Sequence, residues 1–214
     1  MLRRFEVFSL HPAAPPADVA KLRLAFLDCA RFVPEVLHAA VGANLSDTPL
    51  DLVWEGAFAS ASAYQRYMVH PFHAAVLDRY LLVDSAERVT SDNGLQAGLI
   101  GYECDAVASD GVGARRVTLL RIDPEASPDD TLRLGSSAAA PTGAVSSVLA
   151  PNTMGPRWFD AVEVVGPPPR WTHVWEQSFA TLDDARAADP SVVTGDAAVV
   201  ASLELLYEIE RVIA

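Results

Sequence analysis

One pattern occurs twice in this 214-residue chain. Arg3-Arg4 opens a β-forming run that ends at Pro12, and Arg115-Arg116 opens another, 112 residues on, that ends at Pro124. Val53-Trp54-Glu55 with Phe58 returns as Val174-Trp175-Glu176 with Phe179, 121 residues on. Glu87-Arg88-Val89 returns as Glu210-Arg211-Val212, 123 residues on. A repeat of this length restricts the fold to two copies of one unit that bury their apolar faces on each other. The growing spacing places an insertion before the third strand of the second copy. It spans roughly 152–170 and carries Trp158, Phe159 and Pro167-Pro168-Pro169.

The first copy shows what the unit is. Arg3 to Leu10 alternates Phe5 and Val7 against Arg4, Glu6 and Phe8, as a strand does. After His11-Pro12, the residues Val19, Leu22, Phe26, Cys29, Ala30 and Val33 recur at helical spacing, and Pro34 stops the helix. Glu35 to Val41 and Asp51 to Ala59 are two further strands, separated by Gly42, Asn44 and Ser46-Asp47-Thr48-Pro49. A helix carrying Tyr64 and Tyr67 follows, breaks near His70 and restarts at Pro71, a residue suited to a first helical turn. Val83 to Thr90 is the expected fourth strand. The order β-α-β-β-α-β defines a ferredoxin-like unit. The expected fold is therefore α+β: two such repeats, 1–92 and 114–214, joined by a linker over 93–113 whose apolar piece, Leu95 to Tyr102, is a candidate edge strand. Each sheet has one face without helices, and packing the two faces together gives an intramolecular α+β barrel. Such a chain is a monomer with an internal pseudo-dimer, or a homodimer of that unit. In the second copy the helices are poorer, Asp129 to Ala139 being rich in Gly and Ser and Ala185 to Pro190 short.

Charge narrows the partners. The formal net charge is −12, which speaks against nucleic acid and anionic membrane surfaces. Lys21 is the one lysine, and its place on an amphipathic surface helix makes a Schiff-base mechanism a poor fit. Cys29 and Cys104 have no CxxC spacing, and Cys29 falls on an apolar helix face. No leader peptide precedes the first strand pattern and no apolar run reaches membrane-spanning length, so the expectation is a cytoplasmic protein. Phosphate loops, dinucleotide fingerprints and nucleophile elbows are missing. His70 and His73 are within reach of one metal ion, but no carboxylate or cysteine completes a ligand set. Neither a metal nor a cofactor is expected.

The chemistry concentrates in Tyr67-Met68-Val69-His70-Pro71-Phe72-His73. The first strand ending at a proline, Val33-Pro34 before strand two, Gly42, and the tyrosine-x-x-His-Pro-x-His run resemble the stress-responsive A/B barrel (Dabb) domains of the dimeric α+β barrel superfamily. The resemblance covers about residues 2–92, while the second copy shares only its strands. It implies a barrel that binds a small hydrophobic molecule. Members that cyclise polyketides by aldol condensation use the first and last residues of that motif, here Tyr67 and His73. A third-strand pocket histidine of those members falls at Leu52 here, and a first-strand one at Arg4. His173 occupies the third-strand position of the second copy, which lacks the tyrosine–histidine run.

The residues allow two readings of the cluster. In one, neutral His73 removes a proton beside a carbonyl and Tyr67 stabilises the resulting oxyanion. In the other, His70 caps the second helix, His73 hydrogen-bonds to the backbone and Tyr67 packs in the core with its hydroxyl at the rim. Arg4 is either half of a charge pair with Glu6 at the barrel edge or the contact for a substrate carboxylate. His173 is either a pocket residue or a satisfied strand histidine, and His11 and His38 are assigned no role. Three functions follow: a cofactor-independent cyclase-like enzyme, a non-catalytic ligand-binding or structural barrel, and a cofactor-independent monooxygenase-like protein.

Overall fold

The structure, a computed structural model, describes residues 1–82, 84–91, 100–108, 112–139, 143–154 and 171–210. Its first half runs β1 (Leu2–Phe8), α1 (Pro16–Phe32), β2 (Val36–Ala43), β3 (Leu52–Phe58), α2 (Ala61–Met68), a π-helical turn (His73–Leu77), α3 (Asp78–Leu81) and β4 (Ile100–Glu103). The second runs β5 (Ala114–Ile122), α4 (Pro128–Ala138), β6 (Ala144–Pro151), β7 (His173–Phe179), α5 (Leu182–Ala187), α6 (Ser191–Thr194) and β8 (Val199–Glu208). The two four-stranded antiparallel sheets have equivalent orders, β2-β3-β1-β4 and β6-β7-β5-β8. No helix among the described residues is long and apolar enough to cross a membrane.

Strand alternation sorts the side chains into two layers. Phe5, Val7 and Val53 from the first sheet meet Val117, Leu119, Val174 and Leu205 from the second. On the opposite face, Leu2, Phe8, Leu52, Trp54 and Phe58 pack under α1, α2 and the π turn. The sheets also meet along both edges. Val41 exchanges backbone hydrogen bonds with Glu210, and the Leu45 amide donates to the Leu206 carbonyl at 2.7 Å. Along the other edge the Thr153 amide donates to the Gly101 carbonyl at 2.9 Å. A glycine stands at each seam, where a larger residue would clash across it. A Cβ on Gly42 would lie 2.4 Å from the Glu208 carbonyl oxygen, and one on Gly101 would lie 2.7 Å from Met154 Sδ. The strands thus close into one barrel with few free edges.

The fourth strand differs from expectation. Residues 84–91 are turns and irregular chain, with one bridge from Thr90 to Leu10. The strand that pairs with β1 is Ile100–Glu103, inside the stretch expected to be a linker. Val89 still serves the first half, since it is buried in the helix-facing core and its carbonyl accepts from the His11 amide at 2.8 Å. The chain therefore uses 84–91 to tie the end of α3 to the end of β1, and β4 takes the free edge of β1. Likewise the last strand is Val199–Glu208, upstream of the Glu210 run, and Arg211 and Val212 lie outside the described residues. So do Trp158, Phe159 and Pro167 to Pro169. The first residues of that insertion brace β4, because Asn152 Oδ1 accepts from the Gly101 amide at 3.1 Å.

Candidate functional site

Ser60 caps α2 by accepting from the Ala63 amide at 3.2 Å. Pro71 has no amide to donate, so the helix cannot continue through it. The chain breaks there, and the His70 ring restarts it: Nδ1 accepts from the Phe72 amide at 3.1 Å. The next turn widens into the π form over His73–Leu77, a geometry that often marks functional positions. The break and the wide turn bring His73 back over Tyr67. The rings meet edge to face, centroids 4.8 Å apart at 84°.

Both rings are inside the protein. Tyr67 is 0% exposed and His73 6%. Tyr67 stacks on Trp54 at 5.8 Å and lies 5.3 Å from Phe58. Its hydroxyl is not at a rim: it faces Cys29 Sγ at 3.9 Å. Burial, with Cys29 and Glu6 nearby, pushes the phenol well above its usual range. Burial also pushes the Cys29 thiol up to about 12, so neither group ionises near neutral pH. His73 Nδ1 lies 3.5 Å from Asp78 Oδ1 and makes no hydrogen bond.

Arg4 does not sit at the barrel edge. It is 1% exposed, with Glu6 at 3.5 Å, the Ile100 carbonyl accepting from Nη1 at 2.8 Å and the Phe5 carbonyl accepting from the same nitrogen. Its Nε donates to Tyr64 Oη at 3.4 Å. These bonds hold Arg4 within the wall of the layer. Leu52 is buried in the same apolar layer. The first half thus gathers Tyr67, His73, Arg4 and Leu52 on the helix-facing side of its sheet, with His70 at the helix restart above. His173 belongs to the other sheet. It is half-buried at the start of β7, where Nδ1 lies 3.1 Å from Thr172 Oγ1 and burial lowers its basicity. A groove of about 640 Å³ runs beside α1 between Pro16, Val19, Leu24 and the Arg23–Glu210 ion pair. None of the expected site residues lines it. Among the described residues, no three His, Cys, Asp or Glu side chains cluster as metal ligands.

The strongest polar cluster is elsewhere, between the sheets. Arg3 reaches Glu55 at 2.7 Å and Glu176 at 3.0 Å, and Arg115 reaches Glu55 at 3.0 Å and Glu176 at 2.6 Å. Tyr207 donates to Glu55 at 2.8 Å and Tyr102 to Glu176 at 2.7 Å. Each half therefore sends one arginine, one glutamate and one tyrosine into a neutral quartet with a two-fold pattern. Burial alone would raise both carboxyls. Arg115 and Arg3 outweigh it at Glu55, and Arg3 and Arg115 at Glu176, holding both below the usual range. His38, assigned no role from the sequence, joins this cluster, its Nε2 lying 3.0 Å from Glu55 Oε1. The signal was present in the sequence: Arg3 and Arg115 occupy inward strand positions beside Phe5 and Val117, and a charge repeated on an apolar face needs a partner.

Comparison with known proteins fits this architecture. Residues 2–92 match the model of the Stress responsive A/B Barrel Domain. The first half is thus similar to the Dabb domain. The match ends before β4, so the strand completing this sheet lies beyond it. Across the whole chain, the fold is similar to that of an anthrone oxidase-like protein, with 11% identity, a TM-score of 0.61, and coverage of 98% of this chain and 91% of that one. It is similar to a candidate monooxygenase from Fusobacterium nucleatum at 9% identity, with a TM-score of 0.62 and coverage of 97% and 91%. It is also similar to chlorite dismutase from Candidatus Nitrospira defluvii at 10% identity, with a TM-score of 0.58 and coverage of 98% and 90%. Identities this low show a common fold alone. No curated protein matches the sequence.

Proposed function

We propose that this Dabb-type barrel binds a small hydrophobic, carbonyl-bearing molecule in its first half, with His73 as the polar contact, and does not turn it over. The observation that carries this reading is the unequal state of the two motif residues. His73 keeps a nitrogen without a hydrogen bond at the near-buried end of an aromatic layer, and such a nitrogen gains from a ligand oxygen. Tyr67 has its hydroxyl sealed against a sulfur, where it supports the layer instead of meeting a developing oxyanion. Both sheets come from one chain, so the barrel is complete in a monomer, and we take it to act in the cytoplasm. No metal or cofactor enters this reading.

A specific observation favours a second reading. The His73 and Tyr67 rings touch, which suits an acid–base pair of the polyketide-cyclase kind, and catalytic contacts often tighten only once substrate binds. The likeness to an anthrone oxidase-like fold gives this reading another form, oxidation by dioxygen without a cofactor. One experiment separates them. Purified protein is incubated with linear poly-β-ketones and with anthrone-type phenols while melting temperature, product formation and oxygen uptake are followed. The binding reading expects a ligand-dependent rise in melting temperature that His73→Ala abolishes, with no product. Product or oxygen uptake that depends on both His73 and Tyr67 would replace it with the enzyme reading.

A further inference from the structure

Each half breaks its second helix at a proline, and the two restart differently. After Pro190 the chain enters an ordinary turn, α6, in which the Gly195 amide donates to the Ser191 carbonyl at 2.9 Å, four residues back. After Pro71 the turn over His73–Leu77 is wider, and the Asp78 amide donates to the His73 carbonyl, five residues back. A proline break therefore does not by itself require the wide turn. The half that has it is the half that carries a histidine and an aspartate five apart.

The wide turn changes what stands beside His73. In an α-helix, residues five apart point about 140° away from each other. A turn closed five residues back stacks them one over the other. Asp78 Oδ1 accordingly stands 3.5 Å from His73 Nδ1, a nitrogen that is sealed from solvent and has no hydrogen bond. The His73 side chain is 7% exposed and that of Asp78, the outer member, 25%. Tyr67 also meets the ring, with its phenol turned to Cys29. Among the described residues, Asp78 is the one charged group paired with the ring.

A neutral imidazole carries its proton on either nitrogen, and the surroundings decide which. A carboxylate facing Nδ1 attracts an N–H there and repels a bare lone pair, and more strongly in a buried place than in water. At 3.5 Å it is beyond ordinary hydrogen-bond length, so it favours the N–H without using it up. We propose that Asp78 is the positioning residue of His73: through the π turn it holds the ring in the Nδ1–H form and makes Nδ1 a donor. That form selects an oxygen that only accepts, as in a ketone. The opposite form would offer Nδ1 as an acceptor and select a hydroxyl. The consequence for the ligand rests on the reading of His73 as its polar contact, whereas the tautomer does not.

The test is a long-range proton–nitrogen NMR correlation on the full chain with isotope-labelled histidine, at about pH 8.5, where an ordinary imidazole is neutral. His73→Ala identifies the His73 signals. The wild type is expected to carry the proton on Nδ1. Asp78→Asn, which keeps the shape and removes the charge, and Asp78→Ala are expected to move the ratio toward Nε2–H by about tenfold. Asp78→Glu is expected to restore part of it. A role in folding alone would shift melting temperatures and leave the ratio in place. Cyclohexanone is expected to raise the wild-type melting temperature more than cyclohexanol, and Asp78→Ala to erase the difference. An Nε2–H wild type, or an Nδ1–H form that both Asp78→Asn and Asp78→Ala leave unchanged, overturns the proposal. Equal stabilisation by the two probes overturns the selectivity. If the tautomer depends on Asp78 and neither probe binds, the binding reading of His73 falls and the role of Asp78 stands.

Discussion

Trp54 and Trp175 hold the same place in the two sheets, and what surrounds them differs. Trp54 lies opposite Glu6 and stacks with Phe26 and Tyr67, its indole donating to the Phe26 carbonyl at 3.2 Å. Trp175 lies opposite Thr118, among Leu120, Leu134 and Val193, its indole donating to Ser147 at 2.9 Å. One half has built a closed aromatic layer there, and the other an aliphatic layer split by polar atoms. The layer between the sheets shows the opposite behaviour, because Arg3, Glu55 and Tyr102 are mirrored by Arg115, Glu176 and Tyr207. A barrel of this kind needs one shared interface and leaves the two outer layers free to diverge. Any small-molecule handling is thus to be sought in the outer layers, and the inner quartet is the joint.

The joint yields the largest expected effect. Glu55→Ala leaves Arg3 and Arg115 sharing Glu176 alone, with one positive charge uncompensated in the barrel interior, and breaking a buried pair from one side costs about 3–5 kcal/mol. Glu176→Ala is expected to cost somewhat less, since Glu55 also holds His38 at 3.0 Å. Urea unfolding of both variants measures this. As a scale, Glu35→Ala removes an ion pair with largely exposed Arg66 and is expected to change stability by less than about 1 kcal/mol. If Glu55→Ala is as mild as Glu35→Ala, the quartet does not join the halves.

Next comes the contrast between the tryptophans. Replacing either with leucine is expected to destabilise by about 2–4 kcal/mol. Trp54→Leu should exceed Trp175→Leu by about 1 kcal/mol, because it also loses stacked partners. Equal losses would mean that the aromatic layer of the first half contributes no more than ordinary burial.

How far the sequence revealed these layers depends on the kind of signal. Strands β1 to β3, β5 and β7 were readable because alternation and turn residues are local. So was the break at Pro71, whose chemistry forbids continuation. Ile100–Glu103 was readable as part of a candidate edge strand, but not as the strand that completes the first sheet: Gly101 sits against Met154, a contact more than fifty residues away in sequence. The Val83 to Thr90 stretch has suitable β-formers, yet Val89 is used to anchor α3 to β1. Tyr67 and His73 were readable as neighbours through the helix break. Their burial was not, since it depends on Trp54 and Phe58 from another strand. The π turn has no sequence mark of its own. His38 and Glu55 both showed in the sequence, but their meeting depends on the register between β2 and β3.

Acid should act on the joint before it acts on the outer layers. Glu55 and Glu176 have folded-state values below those of unfolded glutamate, near 4.3. Their contribution is therefore complete above that value and is lost as pH falls through the folded values. Each extra proton taken up on unfolding costs up to about 1.4 kcal/mol per pH unit. Stability measured from pH 7 downward is expected to stay level and then decline below roughly pH 4.5. In Glu55→Gln the decline should be shallower. A wild-type curve that already falls steeply between pH 7 and 5 would show that groups other than the quartet dominate.

The smallest expected effect tests the assignment of Tyr67 most directly. Tyr67→Phe keeps the ring that stacks on Trp54 and meets His73, and removes a hydroxyl whose one described contact is Cys29 Sγ at 3.9 Å. A hydrogen bond that long contributes little, so the stability change should stay within about 1 kcal/mol of zero. Ligand-induced stabilisation should also persist in Tyr67→Phe and vanish in His73→Ala. The raised phenol adds a sign that can be checked. A buried tyrosine that stays protonated contributes stability up to the unfolded value near 10, and that stability is lost at higher pH. Tyr67→Phe should therefore resist alkali better than wild type by a small margin, with Tyr64, Tyr102 and Tyr207 still titrating. A Tyr67→Phe variant that loses ligand binding as completely as His73→Ala would show that the hydroxyl turns toward the ligand, and it would make the two residues a working pair.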